Sequence, residues 1–409
     1  MTRVGIRILI LEAIVMNNFE SLVENINQHL NSNRQSWLFG AGISCDANIP
    51  LMYPLTNRVK AIIAEGDNDK NKEIYDSLGT DLNETTAHIE HYLSHLGDLI
   101  ALADRSKEKS ASINGKDFKQ LELRNLHSEI VEAIGTTVRY GYKKNDDGTE
   151  KIGCLGNSLV EITTHINFLK ALFRTRANLK PRSKITFFTT NYDTLLEDAM
   201  GLEKIMVIDG FSGGVMGYWN PDEEFKTETA NPDQYHLYKL HGSVDWHRNI
   251  DAGLVRARYG ANYLSDLSEI MIYPQATKYV ETQKDPFARL FTQFRSVLNS
   301  SEPNVFISCG YSFGDEHINS EIESALSLRS NITLIAFIKE FPVDGDNIKI
   351  NKTLDAWLQN PKLGKRVFVA GERGIYNDSL IPFNIDPDKK LSWWKFSGLT
   401  EFLKTGEAE

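Results

Sequence analysis

The chain reads as an α/β protein: a parallel, Rossmann-like sheet with a large helical insertion. Two observations predict this. First, short apolar runs rich in β-branched and aromatic residues recur between helical stretches. They are WLFG (37–40), KITFFTT (184–190), KIMVI (204–208), YHLYKL (235–240), IMIYP (270–274), NVFISCG (304–310), ITLIAF (332–337) and RVFVAG (366–371). Such runs suit the strands of a parallel sheet covered by helices on both faces. Second, the stretch from 56 to 180 is mostly helical in pattern. That is far longer than the dozen or so residues a parallel crossover needs. The expected organisation is therefore 1–55 as an N-terminal arm and the first part of the core, 56–180 as the helical insertion, and 181–409 as the remainder of the core.

The individual elements follow from local pattern. TRVGIRILILEAIVM (2–16) superficially resembles a leader, but Glu12 interrupts its apolar run and no small-residue cleavage site follows. It is read as an upstream extension or a docking arm. Phe19, Leu22, Val23, Ile26 and Leu30 recur at helical spacing and predict a helix over 19–30. WLFG is then a short buried strand, and AGIS turns into the next helix. Within the insertion, YKKNDDGTEKIG (142–153) is a polar, breaker-rich interruption. The tail LSWWKFSGLTEFLKTGEAE predicts an amphipathic helix whose Trp393, Trp394, Phe396 and Phe402 pack on the core or, less simply, on another subunit.

Composition narrows the function classes. Of 409 residues, 41% are apolar and 24% charged, with a formal net charge of −10, which describes a globular chain with ample core material. The acidic balance argues against binding nucleic acid by phosphate neutralisation, and RTRANLKPRSK (174–184) is the most basic stretch. No stretch is long and apolar enough for a membrane helix. Cys45, Cys154 and Cys309 are far apart and form no CxxC pair, so no zinc ribbon can be built. Scattered cysteines fit a reducing cytoplasm. His88, His91 and His95 mimic a metal site, yet Ile89, Tyr92, Leu93, Leu96 and Ile100 define a buried stripe beside them. The histidines are read as its boundary, and no metal is expected.

Four segments carry the chemistry, each at the end of an expected strand, where open α/β sheets bind their ligands. In FGAGIS (39–44), Gly40 and Gly42 let the backbone approach a ligand, and Ser44 sits where a helix starts, a setting that suits a pyrophosphate. An ordinary tight turn explains the same pattern. In FFTTNYDTLLE (187–197), Thr190, Asn191 and Asp193 project from a turn. Asn191 and Asp193 fall on one side of extended chain and Tyr192 on the other. Asp193 or Thr194 as a helix cap is the bland alternative. In LYKLHGSVDW (237–246), His241 precedes Gly242 and titrates in the range that suits a general base, whereas His247 is read as a surface residue. In VFISCGYSFGDEHIN (305–319), Gly310 and Ser312 form a second glycine turn. Asp315 and His317 either reach a ligand or cap the following helix, and capping is preferred for Asp315.

These four motifs, in this order, resemble the sirtuin superfamily, specifically its bacterial sirtuin-like branch rather than the protein deacetylases. The deacetylases usually carry four zinc-binding cysteines and an Arg-containing segment after the first glycine loop. Here NIPLMYPLT (48–56) offers no Arg. The resemblance implies NAD+ as a substrate, with Asn191 orienting, Asp193 supporting and His241 as base. It implies Gly40, Ala41, Gly42, Ser44, Thr190, Gly310 and Ser312 as the dinucleotide-binding positions. It further implies a cytoplasmic NAD+ glycohydrolase of antiphage defence, a homo-oligomer partnered by a HerA-type hexameric ATPase. An NAD-dependent protein deacylase or ADP-ribosyltransferase, and a non-catalytic NAD or ADP-ribose scaffold, are the alternatives.

Overall fold

The computed structural model describes residues 18–83, 86–145, 147–175, 185–214, 216–220, 234–249, 253–258, 269–272, 285–342, 348–384 and 389–408. The arm at 2–16 lies outside them. Eight strands form the main sheet: β1 Gln35–Phe39, β2 Ile185–Thr189, β3 Met206–Ile208, β4 Gln234–Lys239, β5 Asn304–Cys309, β6 Ile332–Phe337, β7 Val367–Gly371 and β8 Gly374–Tyr376. Their spatial order is β8-β7-β6-β5-β1-β2-β4-β3. Every pair is parallel except the terminal β7–β8 hairpin. From β1 the chain moves to one side through β2, β3 and β4, then returns to the other side of β1 as β5. The switch point therefore lies between β1 and β5, and the loops leaving both strands flank it.

Alternation along the strands builds two cores. Trp37 and Phe39 of β1 join Phe187, Ile307 and Phe337 on one face. Leu38 joins Phe188, Phe306 and Leu334 on the other. A helix over 18–30 (α1) covers the first face with Phe19, Ile26 and Leu30. The aromatic tail covers it too. Helix Phe396–Thr405 and the residues before it bury Trp393, Phe396 and Phe402 at 0–1% exposure, and Trp393 Nε1 donates to Gly371 O at 2.8 Å. Packing on the core is thus the use of the tail. Of the four aromatic residues only Trp394 stays half-buried, with the ammonium groups of Lys339 and Lys395 within 5.5 Å and 5.4 Å of its ring centre.

Between β1 and β2 lie four long helices, α2 Met52–Glu65, α3 Asp69–Asp81, α4 Ile89–Arg105 and α5 Gln120–Tyr140. They share a core of their own, including Val59, Leu78, Leu96, Leu126 and Ile134. Two small hairpins interleave, Ser110–Ile113 with Lys116–Lys119, and Tyr142–Lys144 with Glu150–Ile152. The second is the breaker-rich interruption of the sequence. Shorter helices α6 Thr163–Lys170 and α7 Leu195–Leu202 flank β2.

The small sheet was not legible in advance. Strands Phe211–Gly213, Met216–Trp219, Gly242–Asn249, Gly253–Ala257 and Glu269–Ile272 make a five-stranded antiparallel sheet. The described part of IMIYP, residues 270–272, belongs here, paired with Gly242–Asn249, and not to the parallel sheet. Among the described residues, no helix is long and apolar enough to cross a membrane.

Candidate functional site

The site forms where β1, β2, β4 and β5 end. Backbone hydrogen bonds staple their exit loops together. Gly40 N donates to Cys309 O at 3.1 Å, Gly42 N to Gly310 O at 3.0 Å, Thr190 N to Phe39 O at 3.0 Å, and Leu240 N to Thr189 O at 2.8 Å. Gly40, Ala41, Gly42 and Ser44 therefore lie on one loop, Thr190 on the next, and Gly310 and Ser312 on a third beside the switch point. Ala41 is exposed and Ser312 turns its hydroxyl to its own loop, accepting from Gly314 N at 3.3 Å.

The glycines meet each other. A Cβ on Gly42 would lie 2.6 Å from Gly310 Cα, and one on Gly40 would lie 2.5 Å from Gly310 O. Gly310 itself has φ +66°, and its Cβ would sit 2.5 Å from Ile43 N. The expected reason for Gly40 and Gly42, free approach of a ligand, is thus joined by a structural one: two loops pass at backbone contact. The helix after β1 also differs from expectation. Ala41–Ala47 is a seven-residue 3₁₀ helix with buried Ile43, Ser44 and Ala47, too short to offer a strong helix-end field.

Ser44 instead serves the second loop. Its hydroxyl donates to Asp193 Oδ2 at 2.7 Å and accepts from Asn191 Nδ2 at 3.0 Å. Asp193 Oδ1 accepts from Leu195 N at 3.1 Å, so Asp193 also caps α7. Thr194 makes no cap bond and donates to Asp198 at 2.7 Å. Both oxygens of Asp193 are therefore committed within the protein. Asn191 is 7% exposed, and its Oδ1 is a buried acceptor with no hydrogen-bond partner among the described residues.

Lys239 braces the same loop from beneath. At 2% exposure its ammonium donates to the carbonyl of Asp193 and to Glu197 Oε1, the latter at 3.0 Å. Burial pushes the Glu197 carboxyl upward while Lys239 pulls it back. Nothing in the spacing of KLHG marks Lys239, because a lysine at a strand end normally reads as solvated.

His241 and Asn191 each stand two residues beyond the registered pair Lys239 and Thr189 on neighbouring strands. Gly242 follows with φ +87°, which lets the chain turn from the parallel sheet into the small one. His241 Nε2 lies 2.8 Å from Asp315 Oδ2, with side chains 6% and 3% exposed. This corrects the reading of Asp315. It occupies the N-cap position of α9 (Glu316–Leu328, the ninth helix after α8 Phe287–Leu298) but makes no side-chain cap bond. The GDE turn carries it across to the histidine. His247 is corrected as well: it is buried at 6% in the small sheet, and burial, then Arg139, lowers its pKa.

The histidines of the insertion make local contacts. His88 precedes α4 with its ring 3.9 Å from that of His91, and His95 Nε2 is 2.7 Å from Asp81 Oδ2. Among the described residues no cluster of His, Cys, Asp or Glu has metal-binding geometry. Sequence reasoning also passed over His165 on α6. It is fully buried, its ring 5.0 Å from Phe396, and neither nitrogen has a hydrogen-bond partner among the described residues. Burial lowers its pKa to about 4, against the opposing pull of Asp193 and Asp46.

Comparison with known proteins bears on this region. Residues 185–360 match a family described as a SIR2-like domain, a span that contains Asn191, Asp193, His241 and Asp315. A solved Sir2 enzyme, determined in work on the mechanism and regulation of those enzymes, aligns with 79% of this chain and 87% of its own at 11% identity, with a TM-score of 0.35. No curated protein sequence matches the chain. The fold is that of an α/β protein with a Rossmann-type parallel sheet, and residues 185–360 of it are similar to the SIR2-like domain.

Proposed function

We propose that the protein is an NAD+ glycohydrolase, cleaving the nicotinamide–ribose bond to give nicotinamide and ADP-ribose. The observation that carries this reading is the paired arrangement of the Asn191–Ser44–Asp193 chain and the His241–Asp315 contact at neighbouring strand ends. NAD+ suits these residues because Asn191 presents a buried, unfilled acceptor to a hydroxyl or water donor. In the reaction the C1′–N bond breaks, its electron pair leaves with nicotinamide, and positive charge builds at C1′. Water supplies the new C1′–O bond and gives up a proton. Asn191 is held by Ser44 so that its carbonyl orients the ribose or the water. Asp193 fixes Ser44 and the α7 turn. His241 accepts the proton, and Asp315 opposes the imidazolium that results.

What separates this from protein deacylation is the want of a zinc-cysteine module and of an Arg after the first glycine loop. We further propose, on the resemblance that its four motifs carry, a cytoplasmic homo-oligomer gated by a HerA-type ATPase that drains NAD+ during phage infection. An enzyme that destroys an essential dinucleotide needs such a gate. The test is substitution: Asn191→Ala and His241→Ala should each slow NAD+ cleavage at least about a hundredfold, roughly 2.7 kcal/mol in the barrier. Near-normal turnover by either folded variant would refute the assignment.

A further inference from the structure

We infer that Glu90, on helix α4 of the insertion, is a positioning residue of the site and acts through Tyr192. Tyr192 is the residue between Asn191 and Asp193. Those two turn toward Ser44, while Tyr192 turns the opposite way into the core of the helical insertion. There its hydroxyl donates to Glu90 Oε1 at 2.7 Å, with Tyr192 8% and Glu90 5% exposed. Burial, reinforced by the facing Glu90, holds the phenol well above its usual pKa, so the hydroxyl remains a donor.

Glu90 is itself fixed. Ile89 N, one residue earlier, donates to Thr56 Oγ1 of α2 at 2.8 Å, and Ser94 Oγ donates to Glu90 O at 2.7 Å. The backbone beside the tyrosine is tied down as well. Tyr192 O accepts from Val244 N at 2.9 Å and from Ser243 Oγ at 3.3 Å, and Arg139 of α5 donates to Val244 O. The insertion therefore grips both the Asn191–Asp193 turn and the segment that follows His241. A shift of α4 would be delivered to Asn191 and Asp193 by one buried hydrogen bond, which makes the insertion a lever on the site. A buried hydrogen bond is well suited to this, because leaving either partner unpaired is costly and its length is narrowly set.

The catalytic readout rests on the NAD+ reading above; the structural readout does not. Glu90→Met removes the acceptor at similar volume, Glu90→Gln keeps an oxygen there, and Tyr192→Phe removes only the hydroxyl if Glu90→Met fails to fold. Amide hydrogen exchange, read by mass spectrometry on peptides spanning 189–195, should accelerate at least about tenfold in Glu90→Met or Tyr192→Phe, with α4 still protected, and return to within about threefold of the parent in Glu90→Gln. With NAD+, kcat should fall about tenfold while KM changes by less than about threefold. Parent-like exchange at 189–195 in both disruptive variants overturns the inference. So does a lowered melting temperature with unchanged exchange there and unchanged kcat, since that outcome describes packing alone. If the parent protein leaves NAD+ intact both alone and with a HerA-type ATPase while exchange accelerates as expected, the positioning role stands and the glycohydrolase reading falls.

Discussion

Replacing Asp315 by Asn isolates the electrostatic part of the site from its shape. The carboxylate oxygen sits 2.8 Å from His241 Nε2 and both side chains are more than nine-tenths buried, so solvent does little to screen the pair. Asn preserves volume and an oxygen at the same reach but removes the negative charge that faces the imidazolium. An opposite charge at this range favours the charged imidazole by about 1.4–4 kcal/mol, so kcat for NAD+ should fall about 10- to 1000-fold. The melting temperature should change little, because Asp315 makes no cap bond for α9 and Asn keeps its volume. Nicotinamide release by chromatography, at saturating NAD+, is the assay. His241→Ala with Asp315→Asn should lose little more than His241→Ala alone, because the two act as one unit. Parent-like kcat in Asp315→Asn, or strictly multiplicative losses in the double variant, would refute the pairing as a functional contact.

Gly42→Val should destabilise the fold outright by about 3 kcal/mol, since its Cβ would sit 2.6 Å from Gly310 Cα; an unchanged unfolding midpoint would contradict the loop contact. His165 supplies a pH dependence. Its folded pKa of about 4 lies below the ordinary 6.5, so the unfolded chain binds the proton first and stability falls as pH drops from about 6.5 to about 4. The loss is on the order of 3 kcal/mol, and His165→Leu should flatten the stability profile across that window. Parallel profiles for parent and variant would show that His165 contributes nothing. Trp393→Ala should cost about 3–5 kcal/mol in denaturant unfolding, against almost no change if the tail were a free contact surface.

Where the apolar pattern was strong, the architecture was legible. WLFG, KITFFTT, NVFISCG and ITLIAF became β1, β2, β5 and β6 because strands buried on both faces must be apolar throughout. The small sheet escaped because its strands carry charged residues, the buried Asp245 among them together with Arg248 and Arg256, which break that pattern. Of the site, Asn191, Asp193 and His241 stood out as polar residues at strand ends. Asp315 stood out only as a helix cap, and Lys239 and Glu90 not at all, since each takes its role from a partner far away in sequence: His241, the Asp193 carbonyl and Tyr192. Spacing reports local structure, and such pairings are made only by the sheet order and by the packing of the insertion. His247 was misjudged for the same reason, its burial being set by the small sheet.

The most direct measurement of the central claim is product analysis. The purified chain is incubated with NAD+, alone and with a HerA-type ATPase, and the mixture is resolved by liquid chromatography with mass detection. The account predicts nicotinamide and ADP-ribose in equal amounts in at least one of the two conditions, and neither product from Asn191→Ala. NAD+ recovered intact under both conditions, or cleavage undiminished in Asn191→Ala, would contradict it.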